Sequence, residues 1–126
     1  MLPPEEVPIT HLNRRLGAWR SGEDSTRFCV WSPQNDRVEL EIVGRDERIP
    51  LQKTSGGYHE IEVGGIGPVD RYFYRFDDGP QRPDPASRYQ PDGVHGPSLI
   101  VDDEFDWSDD DWRGIERDDL IIYEVH

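Results

Sequence analysis

Arg37-Val38-Glu39-Leu40-Glu41-Ile42 alternates without a break: Val38, Leu40 and Ile42 on one side, Arg37, Glu39 and Glu41 on the other. Such a period of two describes a strand with one face on a core and one in water. Upstream, Thr26-Arg27-Phe28-Cys29-Val30-Trp31 places Phe28 and Val30 on one face and Cys29 and Trp31 on the other. Apolar residues on both sides predict a central strand, with Trp31 as a core residue. Downstream, Ile49 and Leu51 bracket Pro50, and a proline there predicts an edge strand. Tyr58 to Val63 alternates again, with His59, Ile61 and Val63 on one side. Arg71 to Phe76 is an aromatic strand with Tyr72, Tyr74 and Phe76 on one face. Glycine and proline turns at Gly44 to Glu47, Ser55 to Gly57, Gly64 to Pro68 and Asp77 to Pro80 separate these segments. Leu16 to Trp19 supplies an opening strand and Ser98 to Val101 a closing one.

The spacing of short strands predicts an all-β fold, an immunoglobulin-like (E-set) β-sandwich over residues 16–101 with an irregular C-terminal extension. Alanine occurs only at Ala18 and Ala86, and no long stretch carries a helical period. The antibody-type Cys-Trp-Cys framework is missing, because Cys29 is the one cysteine. Cys29 therefore makes no intramolecular disulfide and suits a reducing cytoplasm. Its apolar neighbours predict an inert core thiol.

The 126 residues allow one domain with a core, and fall short of the about 250 that a β/α barrel needs. Net charge is -13, which argues against nucleic acid and anionic membrane surfaces as partners. No apolar run reaches the ~20 residues of a membrane span. Residues 1–15 read as a flexible N-terminal segment. Residues 102–119 carry ten acidic and two basic side chains and read as an acidic linker. Within it, Asp106, Asp109, Asp110 and Asp111 lack the spacing and central glycine of an EF-hand loop. Ser108 with Asp111 is a candidate cap for one helical turn. His11, His59, His95 and His126 have no ligand spacing, so no metal and no cofactor is implied.

Residues 80–97 hold five of the eleven prolines and read as an ordered irregular segment. At the other end, Leu120-Ile-Ile-Tyr-Glu-Val-His126 is a run of the kind buried on both faces in a parallel sheet. The expectation is a chain cut at the entrance to a second domain, with 120–126 as its first strand.

Thr26-Arg-Phe-Cys-Val-Trp-Ser-Pro33 resembles the "FxVWAP" strand of N-terminal domains in the alpha-amylase family of glycoside hydrolases. Asp70-Arg-Tyr-Phe-Tyr-Arg-Phe76 resembles the later "YxYR" strand, and Ile122-Tyr-Glu-Val-His126 the first barrel strand of branching enzymes and isoamylases. Residues 82–98, Arg-Pro-Asp-Pro-Ala-Ser-Arg-Tyr-Gln-Pro-Asp-Gly-Val-His-Gly-Pro-Ser, resemble the run before the barrel in malto-oligosyltrehalose trehalohydrolases, as does Trp107-Ser-Asp-Asp-Asp-Trp-Arg-Gly114. The resemblance implies a non-catalytic domain of an enzyme that hydrolyses the α-1,4 bond beside a terminal trehalosyl unit. Its acidic catalytic residues lie on later barrel strands, so no residue here is assigned as catalytic. Asp110-Asp111 and Asp118-Asp119 are adjacent acids without the geometry of a glycosidase pair.

Three readings stay open. In the first, the domain braces the missing barrel of the same chain through Pro80 to Ser98, with His95 packed near the junction. Gly93 and Gly96 then supply turn backbone and Pro97 restricts the chain, while Trp107 and Trp112 dock the linker on the barrel. In the second, it binds maltooligosaccharide or α-glucan on an exposed aromatic, the candidates being Trp19, Trp31, Tyr58, Trp107 and Trp112. In the third, it is an interaction domain unrelated to sugar. Glycogen branching and debranching enzymes are the enzyme alternatives.

Overall fold

The structure, a computed structural model, describes residues 15–126. The expected flexible segment 1–15, Arg15 apart, and His11 lie outside the described residues. Nine strands follow: β1 (Gly17–Gly22), β2 (Ser25–Trp31), β3 (Val38–Ile42), β4 (Arg48–Pro50), β5 (Gln52–Thr54), β6 (Tyr58–Gly64), β7 (Arg71–Phe76), β8 (Gln81–Arg82) and β9 (Ser98–Leu99). One sheet has the order β1-β2-β6-β5. The other runs β4-β3-β7, and the far side of β7 carries β9 opposite Arg71 and Tyr72 and β8 opposite Tyr74 and Arg75. Every pairing is antiparallel. Both sheets feed one core, so the predicted β-sandwich is the observed fold.

Alternation places the core. Phe28 and Val30 of β2 meet Val38, Leu40 and Ile42 of β3 and Tyr72 and Tyr74 of β7. The β7 aromatics form an edge-to-face ladder: Phe28 to Tyr72 at 5.0 Å, Tyr72 to Tyr74 at 5.6 Å, Tyr74 to Phe76 at 6.1 Å. Each such pair contributes about 0.5–1.5 kcal/mol beyond its buried area. β4, with Pro50, pairs only with β3 and is the edge that the proline predicts. Buried Thr26 is satisfied across the chain: its Oγ1 donates to the Ile66 carbonyl at 2.7 Å. Gly57 (φ 84) lies so close to Pro33 that a Cβ would fall 2.6 Å from the proline Cβ, so only glycine fits this turn.

Two expectations are corrected. Trp31 is 56% exposed and is not a core residue. It shares a β2 face with Arg27, and that face of the first sheet is the outer one. Ser108 caps no helical turn; the linker has a single turn, Trp112 N–H to the Asp109 carbonyl at 2.9 Å, and a 3-10 turn at Arg117–Asp119. Residues 120–126 pair with neither sheet and are exposed, Ile121 by 94%. Strand propensity alone does not make a strand: its backbone groups need a partner ladder.

The proline-rich segment is fixed by a buried carboxylate. Asp84 Oδ2 accepts the Tyr72 hydroxyl at 2.6 Å, and Oδ1 accepts the Ala86 N–H at 2.8 Å. Its own N–H donates to Ser98 Oγ at 3.0 Å. Burial pushes the Asp84 carboxyl above its ordinary range, against the lowering effect of the Tyr72 and Ala86 hydrogen bonds. The Tyr74 hydroxyl is buried near Asp84 and helps to lower that carboxyl, but it makes no well-formed hydrogen bond among the described residues. Tyr72→Phe should therefore cost about 1–3 kcal/mol in urea unfolding, because Asp84 loses its donor. Tyr74→Phe should leave stability within about 0.5 kcal/mol of the parent or raise it. Equal losses in the two variants would refute this asymmetry.

Candidate functional site

The outer face of the first sheet carries an aromatic platform. Register sets Trp31 of β2 opposite Tyr58 of β6, and Tyr58 opposite Thr54 of β5. Opposed residues share a face, so the three form a row across adjacent strands. Trp31 Nε1 donates to the Gly56 carbonyl at 3.0 Å, which fixes the indole. Beside it, Leu16, Val30, Asp84, Pro85 and Ala86 line a hollow of about 150 Å³. An exposed, fixed indole next to an apolar hollow can stack on the apolar face of a sugar ring.

A second surface lies where β8 meets the irregular segment. Phe76, Gln81, Arg82, Pro83, Val94 and His95 line a groove of about 540 Å³. Gln90 holds the bend above it, its Nε2 donating to the Val94 carbonyl at 3.0 Å. Leu99 N–H donates to the Tyr89 carbonyl at 2.9 Å. His95 is exposed on this rim. Trp107 and Trp112 are exposed on the linker, and Phe105 meets Trp107 edge-on at 4.8 Å.

The remaining candidates scatter. His59 is buried in the core with Nε2 3.2 Å from the Ser32 carbonyl. Cys29 is buried, its Sγ 3.6 Å from Glu60 Oε1. Asp110, Asp111, Asp118 and Asp119 are exposed. His126 is exposed, 2.8 Å from Glu124. Among the described residues, no three His, Cys, Asp or Glu side chains converge as metal ligands, and no helix is long and apolar enough to cross a membrane.

The family described as carbohydrate-binding module 48 (isoamylase N-terminal domain) matches residues 15–90. The chain belongs to this family. It is 40% identical over 108 residues to a malto-oligosyltrehalose trehalohydrolase of Saccharolobus solfataricus, covering 86% of this chain and 19% of that protein. It is 36% identical over 136 aligned residues to a 1,4-alpha-glucan branching enzyme of Salinibacter ruber, covering 93% of this chain and 22% of that protein. Among solved structures, a putative alpha amylase from Salmonella typhimurium superposes with a TM-score of 0.72 at 32% identity, covering 81% of this chain and 17% of that one. The chain thus spans about a fifth of the length of the curated relatives it matches.

Trp31 is the residue that sequence reasoning misplaced. The parity of Arg27, two steps below Cys29 on the same face, was the available signal. The groove beside β8 had no local signal, since it depends on where Asp84 anchors the segment.

Three carboxylates of the domain have shifted proton affinities. Burial acts to raise Glu41, but hydrogen bonds from Gln81 and Arg75 and the charges of Arg75 and Arg48 outweigh it, and its carboxyl lies low. Asp77 is held low first by the Asn35 hydrogen bond, at 2.8 Å, then by the Arg37 N–H. Stability from Glu41 and Asp77 is present above their ordinary values of 4.5 and 3.8 and is lost as pH falls through their lower folded-state values. Asp84 has the opposite sign: being raised, it favours the folded state as pH falls toward 3.8. Between about pH 5 and pH 3 the urea midpoint should fall less steeply in Glu41→Gln and more steeply in Asp84→Asn than in the parent. Parallel slopes in all three proteins would overturn this.

Proposed function

We propose that this domain is the non-catalytic N-terminal part of a glycoside hydrolase resembling malto-oligosyltrehalose trehalohydrolase. The full enzyme would cleave the α-1,4 bond next to a terminal trehalosyl unit and release trehalose. The observation that carries this reading is the 40% identity across 86% of the chain. In this arrangement residues 16–101 form the sandwich, 102–119 the connection, and 120–126 the first strand of a catalytic barrel. The barrel packs on the groove between β8 and residues 83–96, where Pro83, Val94 and the rim of Phe76 offer apolar surface. A lone cysteine, held in the core, suits a reducing cytoplasm.

The test uses the native protein, captured from its source cells with an antibody to this domain. The expected product exceeds the present chain by at least a barrel of ~250 residues. It releases trehalose from a maltooligosyltrehalose. A native product of 126 residues overturns the proposal, and so does transfer of glucan branches without trehalose release.

The exposed Trp31 favours a second role, glucan binding by the platform itself. A maltohexaose titration of this chain, followed by heteronuclear NMR, should shift amides around Trp31, Gly56 and Tyr58. Trp31→Ala should weaken binding at least tenfold, about 1.4 kcal/mol. Absence of shifts at ~10 mM sugar would place affinity below the useful range and remove this role.

A further inference from the structure

The edge of β1 carries a cluster that neither the platform nor the groove uses. Trp19 lies between two guanidinium groups: Arg88 Cζ is 3.9 Å from the ring centroid and Arg15 Cζ is 4.7 Å away. Its Nε1 donates to the Leu16 carbonyl at 2.8 Å, so the ring is fixed. Arg88 also donates to the Ala18 carbonyl at 2.7 Å, and its other terminal nitrogen pairs with Asp103. One residue along β1, Arg20 pairs with Asp102 at 3.7 Å and with Glu104 at 3.1 Å. Arg20 and Arg88 are about a quarter exposed, at 25% and 27%.

The pattern follows strand geometry. Trp19 and Arg20 are successive residues of an edge strand, so their side chains leave on opposite faces. Asp102, Asp103 and Glu104 alternate in the same way: the first and third reach Arg20, the second reaches Arg88 on its tryptophan shelf. The acidic segment therefore straddles the open edge of β1. After Glu104, residues 105–126 are exposed.

We infer that Arg20 and Arg88 form an electrostatic latch that seats Asp102, Asp103 and Glu104 along the edge of β1, fixes the line on which the acidic stretch leaves the sandwich, and opens at high salt. The inference stands on this chain alone and holds whatever the chain is joined to. Exposed ion pairs are individually weak, and their attraction is cut as the screening length falls from about 10 Å at 0.1 M salt to about 3 Å at 1 M. The latch also covers a strand edge that would otherwise offer its backbone to another chain.

Backbone 15N relaxation on the 126-residue protein tests this. At low salt the amides of Asp102, Asp103 and Glu104 should have order parameters near those of β1, about 0.85, and at 1 M NaCl they should fall below about 0.6. The triple variant Asp102→Asn/Asp103→Asn/Glu104→Gln should be mobile at both salts, with its urea midpoint at the parent value. This variant leaves every sandwich side chain in place. Placing the charges in reverse, Arg20→Glu with Asp102→Arg and Glu104→Arg, should restore order at low salt. Three results overturn the latch: mobility of 102–104 in the parent at low salt, order that persists at 1 M NaCl, or order retained in the triple variant.

Discussion

A carboxylate taken out of water must be hydrogen-bonded or the fold loses several kcal/mol. Asp84 meets that requirement with a tyrosine hydroxyl from the second sheet and a backbone N–H from its own segment. The requirement works in both directions. Asp84 needs Tyr72 in the core, and Tyr72 needs an acceptor where the sandwich interior offers none. Ser98 Oγ closes the loop by accepting the Asp84 N–H, so the irregular stretch is tied to the core at its entry and at its exit. Between the two ties, short turns and the Gln90 side chain hold the bend without regular structure. The hollow and the groove both inherit their shape from this anchor. Pro85 lines the hollow beside Trp31 and also the groove beside β8.

What the sequence discloses and what it hides divides along physical lines. β3 and β7 were legible because a half-buried strand writes its two environments into alternate residues, as in Val38/Glu39/Leu40 and Tyr74/Arg75/Phe76. The edge position of β4 was legible because Pro50 withholds a ladder donor. Trp31 was misread because the face assignment rested on Cys29, a residue buried although it lies on the outer face. Arg27 carried the correct information. The end of the chain shows the converse. Leu120 to Val125 has the composition of a strand, but pairing is a property of two segments, and the sequence of one does not contain it. Asp84 had no signature, since its neighbours Pro83 and Pro85 say only that the backbone is restricted.

The two outward surfaces suit different tasks. Trp31 and Tyr58 sit on rigid adjacent strands, and the indole is held by a backbone carbonyl, as a stacking platform requires. The groove beside β8 is walled partly by proline, which presents apolar area at little conformational cost, as a fixed interface between packed domains requires. Both border the segment that Asp84 anchors, and Pro85 lines each of them.

Arginine outnumbers lysine 13 to 1 in this chain, and the structure supplies reasons at individual positions. Arg88 stacks on Trp19, donates to a backbone carbonyl and pairs with a carboxylate at the same time. Arg75 pairs with Glu41 through Nε and donates to the Gly79 carbonyl at 2.9 Å through a terminal nitrogen. A planar fork with five donors can divide itself in this way, whereas an ammonium group is a point charge that cannot lie flat on a ring while reaching two acceptors. Lys53, the one lysine, points the same way: its Nζ meets the Asn35 carbonyl at 3.0 Å and Asp36 at 3.4 Å, both on one loop. The arginines join β1 to the acidic stretch, β3 to β7, and the proline-rich segment to the edge of the first sheet. In a chain with a net charge of -13, Arg20, Arg75 and Arg88 each bind more than one group at once.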